Sequence, residues 1–87
     1  MQNHRIVRES ERASITGVPT STWYDLVESG LAPPAVKVGK RAAGWPESEL
    51  FALNNARIAC KTEDQIRSIV QRLLEARSRA FDQPINA

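Results

Sequence analysis

GVPTSTWYDLVESG, residues 17–30, reads as a turn followed by a short helix with a single apolar face. Gly17 supplies the helix-ending conformation that other residues adopt only at a cost. Pro19 fixes the backbone direction and is tolerated where a helix begins, because its missing N–H would have no partner there. At about 100° per residue, Trp23, Leu26 and Val27 share one side of a helix over residues 20–29. Ser21, Asp25 and Glu28 lie opposite, flanked by Thr22 and Tyr24. The stretch holds neither Lys nor Arg. Gly30 closes the helix, and the prolines of APP at 32–34 forbid its continuation.

Upstream, residues 9–16 are predicted to form a short helix with Ala13 and Ile15 inward, preceded by a frayed end over residues 1–5. Downstream, Val36 and Val38 alternate with Lys37, the pattern of a short strand. Gly39-Lys40-Arg41 reads as a hairpin tip, and Ala43 to Trp45 as the returning strand. Pro46 opens a third helix running to about Ala59, with Glu47 and Glu49 in its first turn, where the helix dipole favours negative charge. Leu50, Leu53 and Ile58 are its expected core contacts. Thr62 and Gln65 have the spacing of a capping box. Beyond them Ile66, Ile69, Val70, Leu73, Ala76 and Ala80 form an apolar stripe interrupted by Arg77 and ended by Phe81.

Two short helices joined by a glycine-containing turn and followed by a small hairpin make a winged helix-turn-helix. The fold class expected is therefore mainly α with a small β-hairpin, plus an additional C-terminal helix. Its parts are a DNA-binding domain over residues 1–60, an amphipathic helix over 61–82 for packing or dimerisation, and a frayed tail over 83–87.

Composition narrows the function. Eighty-seven residues make one domain, whose total stability should be about 4–13 kcal/mol. No stretch approaches the roughly 20 apolar residues of a membrane span, and MQNHRIVRES lacks the apolar core of a signal peptide, so a cytoplasmic setting is expected. One Cys and one His exclude the usual zinc cage and an internal disulfide; Cys60 reads as a small surface residue and His4 as part of a loose tail. No Ser/His/Asp set, Gly-rich phosphate loop or spaced carboxylate pair appears, so neither an enzyme nor a cofactor is expected.

The net charge of +2 is a weak argument for a polyanion partner, but its distribution is a better one. VKVGKRAAGW holds Lys37, Lys40 and Arg41 and no acid, on an element that projects. Arg5, Arg8 and Arg12 precede the first helix or lie on it. In a winged helix-turn-helix the second helix enters the major groove and the hairpin lies along the backbone. Ser21, Thr22 and Tyr24 offer hydroxyls to phosphates or base edges, and Asp25 can accept from a cytosine amino group. The plainer alternative is that the hydroxyls cap the helix and the acids are solvated surface. Trp23 and Trp45 could be stacking platforms for single-stranded bases, but Trp23 shares a face with Leu26 and Val27, so both are assigned to the core.

Residues 5–59 also resemble the AlpA family of small phage-associated DNA-binding regulators, relatives of the MerR-like and excisionase helix-turn-helix proteins. The matching pieces are RIVRESE, ITGVPTSTWYDL, the break from Gly30 to Pro34, VKVG, RAAGWPESEL and NARIA. The resemblance implies duplex-DNA binding by a transcriptional regulator or an excisionase-like directionality factor. Ser21, Thr22 and Tyr24 fall on the family's recognition-helix signature and Arg41 on its wing. Asp25 departs from the pattern, standing where a basic residue is common. Arg12 does so too, in a place that is often apolar, where it either loosens the first helix or exposes a further phosphate contact. The helix from Thr62 lies outside the resemblance.

The expectation is thus a DNA-binding protein of a phage or mobile element. Its contacts would be Ser21, Thr22, Tyr24 and Asp25 in the major groove and Lys37, Lys40 and Arg41 on the backbone, with Arg8 and Arg12 on the other side. Double-stranded DNA is the expected partner, with an integrase or other regulator and a second copy through the last helix as protein partners, and no membrane. The rival is an interaction module, such as an antitoxin or phage adaptor, that keeps the fold without binding DNA.

Overall fold

The computed structural model describes residues 5–80. Over them the elements run β1 (Ile6–Val7), α1 (Glu9–Thr16), α2 (Thr20–Glu28), β2 (Val36–Lys37), β3 (Ala43–Pro46), α3 (Glu47–Ile58) and α4 (Glu63–Ala80). The fold is mainly helical with a small antiparallel sheet in the order β1-β3-β2. The expected tail at 83–87, Phe81 and His4 lie outside the described residues.

The helix-turn-helix forms as its punctuation dictates. Gly17 adopts φ 71° and its N–H bonds to the Ala13 carbonyl, ending α1. Two residues later Pro19 stands as the N-cap of α2 in extended conformation. At the far end Gly30 takes φ 79°, and the Leu31 N–H reaches the Leu26 carbonyl at 2.8 Å.

The hairpin is closed by the Val38 N–H on the Ala42 carbonyl at 2.9 Å, with Val36 opposite Gly44 and Lys37 opposite Ala43. A third strand, β1, covers its other edge, pairing Ile6 with Pro46 and Val7 with Trp45. Residue 5 is not frayed as expected: Arg5 is anchored to Glu47 at 2.5 Å and also pairs with Glu11, and its carbonyl accepts from the Glu47 N–H. Gly44 permits the sheet. A Cβ there would clash with the Val7 carbonyl oxygen and lie 2.7 Å from Ile6 Cγ2.

The core gathers Val7, Trp23, Leu31, Ala32, Trp45, Leu50, Leu53, Ala56, Ile66 and Val70. Trp23 and Trp45 meet edge to face at 5.8 Å between ring centres, and the Trp45 indole N–H donates to the Pro33 carbonyl. Both tryptophans are therefore core residues. Ile58, expected inside, is 80% exposed. The buried side of α3 is set by Glu49, Leu50, Leu53 and Ala56, and at about 100° per residue Ile58 falls nearly opposite it.

α4 begins with the expected capping box. The Thr62 N–H donates to Gln65 Oε1 at 2.9 Å, and the Gln65 N–H donates to Thr62 Oγ1 at 3.2 Å. It lies against α3, burying Ile66 and Val70 while Ala76 and Ala80 stay exposed. Arg77, the interruption in its stripe, grips Glu49 with both ends of its fork at 2.7 and 2.8 Å and also donates to the Pro34 carbonyl.

Candidate nucleic-acid interface

α2 presents two different surfaces. Trp23 is fully buried and Leu26 and Val27 are half-buried, which anchors the helix. The remaining side exposes Ser21, Thr22, Tyr24, Asp25 and Glu28. The capping alternative for the hydroxyls is not realised. The N-cap is Pro19, without a side-chain cap bond, and the Thr20 hydroxyl instead donates to Glu9 Oε2 at 2.6 Å. Among the described residues the Ser21 and Thr22 hydroxyls and the Asp25 carboxylate have no side-chain partner, so all three are free to meet a ligand.

Lys37, Lys40 and Arg41 are exposed on the hairpin. Arg8 is exposed at the N-cap position of α1, where its side chain makes no cap bond. None of these four cations forms an ion pair among the described residues. Other arginines behave differently: Arg5, Arg12, Arg67 and Arg77 all hold carboxylates. The unneutralised positive charge therefore includes the hairpin and the start of α1.

These pieces meet. Tyr24 from α2, Arg41 from the hairpin tip and Arg8 from the start of α1 line one open cleft of about 390 Å³, together with Ser10, Glu9 and Trp45. The helix and the hairpin thus border the same concavity. Ser21, Thr22 and Asp25 lie outside the cleft on the exposed part of α2, and Lys37 and Lys40 outside it on the hairpin. Ser10 was not anticipated, because a lone serine in a first turn carries no periodic signal.

Arg12 is corrected. It was expected on the surface against phosphate, and it is fully buried. Its guanidinium lies over the Trp23 ring, pairs with Glu9, and donates to the Val18 carbonyl at 2.5 Å and Thr16 Oγ1 at 3.2 Å. A buried charge must be paired and hydrogen-bonded to be tolerated, and Arg12 is both. Arg12 therefore fills a core position and ties the turn between α1 and α2 from beneath.

Glu9 is the acid of the cleft, but its carboxylate is engaged. Partial burial pushes its pKa up; hydrogen bonds from Arg12 and Thr20 and the Arg12 charge outweigh this and hold it below the ordinary glutamate value. No group of His, Cys, Asp and Glu able to hold a metal occurs among the described residues. None of their helices is long and apolar enough to cross a membrane.

Comparison with known proteins gives the family. The model of the family described as prophage CP4-57 regulatory protein (AlpA) matches residues 5–53, the span from β1 into α3. The uncharacterized protein ORF88 of Enterobacteria phage P4 is 36% identical over 55 residues, covering 63% of this chain and 62% of that protein. The chain thus aligns with less than two thirds of that relative's length. No solved structure matches. Matched from the first strand through the helix-turn-helix and the hairpin, the chain belongs to the AlpA family of prophage regulatory proteins.

Proposed function

We propose that this protein binds double-stranded DNA in a sequence-specific manner, as a small transcriptional regulator or excisionase-type factor of a phage or mobile element. Residues up to 60 form the DNA-binding unit. The recognition helix at 20–29 enters the major groove and the hairpin at 36–45 acts as a wing on the backbone. Ser21 and Thr22 meet base edges or adjacent phosphates and Asp25 accepts from a cytosine amino group; Lys37, Lys40, Arg41 and Arg8 hold phosphates. The observation that carries this reading is the cleft bordered jointly by Tyr24, Arg41 and Arg8, which sets a hydroxyl-bearing helix and unpaired cations on one side of the molecule. Family membership supports the regulatory role. Selection of bound fragments from randomised duplex DNA tests it: a shared sequence motif is expected, and recovery of unselected sequence would refute specific recognition.

A second reading has its own support. α2 carries Asp25 and Glu28 and no cation, an arrangement suited to an interaction module, such as an antitoxin or phage adaptor, that has lost DNA binding. Failure to bind bulk duplex at low salt would favour it.

The reading places the protein in the cytoplasm, with an integrase or another regulator as its protein partner. Pairing of two copies through α4 draws less support, because Ile66 and Val70 are buried within the chain and Arg77 is tied to Glu49. Sedimentation at high micromolar concentration should return a monomer.

A further inference from the structure

Arg8 and Arg41 stand 33 positions apart in sequence and line the same cleft. Neither has a carboxylate partner among the described residues. The one acid beside them, Glu9, is committed to Arg12 and the Thr20 hydroxyl. Two guanidinium-bearing residues thus border one concavity, neither of them neutralised by an ion pair among the described residues. The cleft is also lined by Tyr24 and Ser10, residue types whose hydroxyls can donate. Such a set of donors fits a tetrahedral oxyanion, since planar guanidinium forks match phosphate oxygens in pairs.

From this convergence we infer that the cleft between the start of α1 and the hairpin tip is a single-phosphate site in which Arg8 and Arg41 grip the same phosphate, with Tyr24 and Ser10 completing its donors. The inference deepens the DNA-binding reading and rests on it for the source of the ligand. One phosphodiester of a duplex backbone is held across the recognition helix and the wing, fixing the register in which α2 enters the groove. The site is distinct from the remaining wing contacts, because Lys37 and Lys40 do not line the cleft. A free phosphate would use the same donors, so the two sources must be separated by experiment.

The full-length chain and the variants Arg8→Gln, Arg41→Gln and the double variant serve as reagents, with circular dichroism confirming their fold. Arg8 and Arg41 are exposed and outside the core, so folding should be preserved. In a duplex-binding titration each single variant should bind about tenfold more weakly, the size of a lost charge-assisted contact. The double variant should lose at most about twofold more, because the two side chains share one target. Duplexes with one phosphate at a time replaced by neutral methylphosphonate should reveal one position that weakens the wild type and leaves the double variant unaffected. Losses that multiply to about a hundredfold, or no such position, would overturn the shared grip even if DNA binding itself is normal.

A second arm separates failure of this site from failure of the DNA reading. Inorganic phosphate is titrated against the chain while the Ser10 amide and Tyr24 ring resonances are followed by NMR. If duplex is not bound at all, saturable shifts that vanish in both single variants would retain the cleft as a site for free phosphate and discard the backbone phosphodiester. Absence of duplex binding together with absence of those shifts would overturn the site itself.

Discussion

The Arg12 guanidinium carbon lies 4.6 Å from the centre of the Trp23 ring, fully enclosed. The same group stands 5.9 Å from the Trp45 ring. A cation on an aromatic face is favourable, more so when desolvated, and here it also ties Glu9, Thr16 and Val18 into one network at the helix-turn-helix. The orientation of α2 is thus set by a polar joint as well as by apolar packing.

Removing that joint should be costly. Arg12→Ala strips donors from Val18 and Thr16, unpairs Glu9 and leaves a void under Trp23, for a loss of about 3–5 kcal/mol. Against a total of about 4–13 kcal/mol, much of the protein should be unfolded in a urea titration. Arg12→Met keeps the volume and should cost less, about 1–3 kcal/mol for the unsatisfied polar groups. Equal stability of Arg12→Ala and wild type would remove the joint from the account.

The Glu9 carboxyl gives this region a pH dependence. Its native pKa is depressed relative to the unfolded chain, so the unfolded state binds the proton more readily. Its contribution is fully present above the unfolded glutamate value, about pH 4.3, and is lost as pH falls through the lower native value. Glu9→Gln should flatten the acid limb of a thermal-stability profile; an unchanged limb would show that other groups govern it.

Gly44→Ala should detach β1. The added methyl meets the Val7 backbone and Ile6 Cγ2, where backbone cannot yield cheaply, and overpacking of this kind costs about 1–3 kcal/mol. Hydrogen exchange should show loss of protection at Val7 and Trp45 before α3 is affected. Retained protection there would show that the sheet accommodates the methyl group.

α4 is held by a fork as well as by its apolar seam. Glu49 is 5% exposed and receives two bonds from Arg77, so Arg77→Ala leaves a buried carboxylate alone and should cost about 3 kcal/mol. Glu49→Gln paired with Arg77→Met should recover much of that loss. Failure of the pair to recover would mean that the fork is incidental to docking.

Much of this architecture was legible in the sequence because its signals are local. Gly17, Pro19 and Gly30 bound α2, the Trp23–Leu26–Val27 spacing gave its buried face, and Thr62 with Gln65 announced α4. β1 was missed because two residues cannot display an alternation, and its pairing with β3 is contact between distant segments. Arg12 was misplaced because an arginine on a helix ordinarily faces water; its partner Glu9, three residues earlier, was the available clue. Arg77 looked like a flaw for the same reason, until Glu49 answered it from another helix. Ile58 was misassigned because spacing alone cannot choose between two sides of a helix that carries apolar residues on both, Phe51 and Ile58 on one and Leu50 and Leu53 on the other. Of the cleft's lining, Arg8, Tyr24 and Arg41 are expected contacts, whereas Glu9, Ser10 and Ala35 are not, and the convergence depends on how three separate elements pack.

Under the proposed function, α2 and the hairpin make separable predictions about DNA. Asp25→Ala or Ser21→Ala should alter which sequence is preferred, with a change of about 1–3 kcal/mol in discrimination at one base pair. Selection from randomised duplex with each variant measures this. An unchanged motif would place base readout elsewhere.

The central claim, that the hairpin cations and the start of α1 neutralise a duplex backbone, is tested most directly by fluorescence anisotropy with bulk duplex over a series of salt concentrations. With about four to six phosphates engaged, log affinity should fall against log salt with a slope of about −4 to −5, and Lys40→Ala with Arg41→Ala should flatten it by about 2 on every sequence. No binding at low salt, or an identical slope for the double variant, would contradict it.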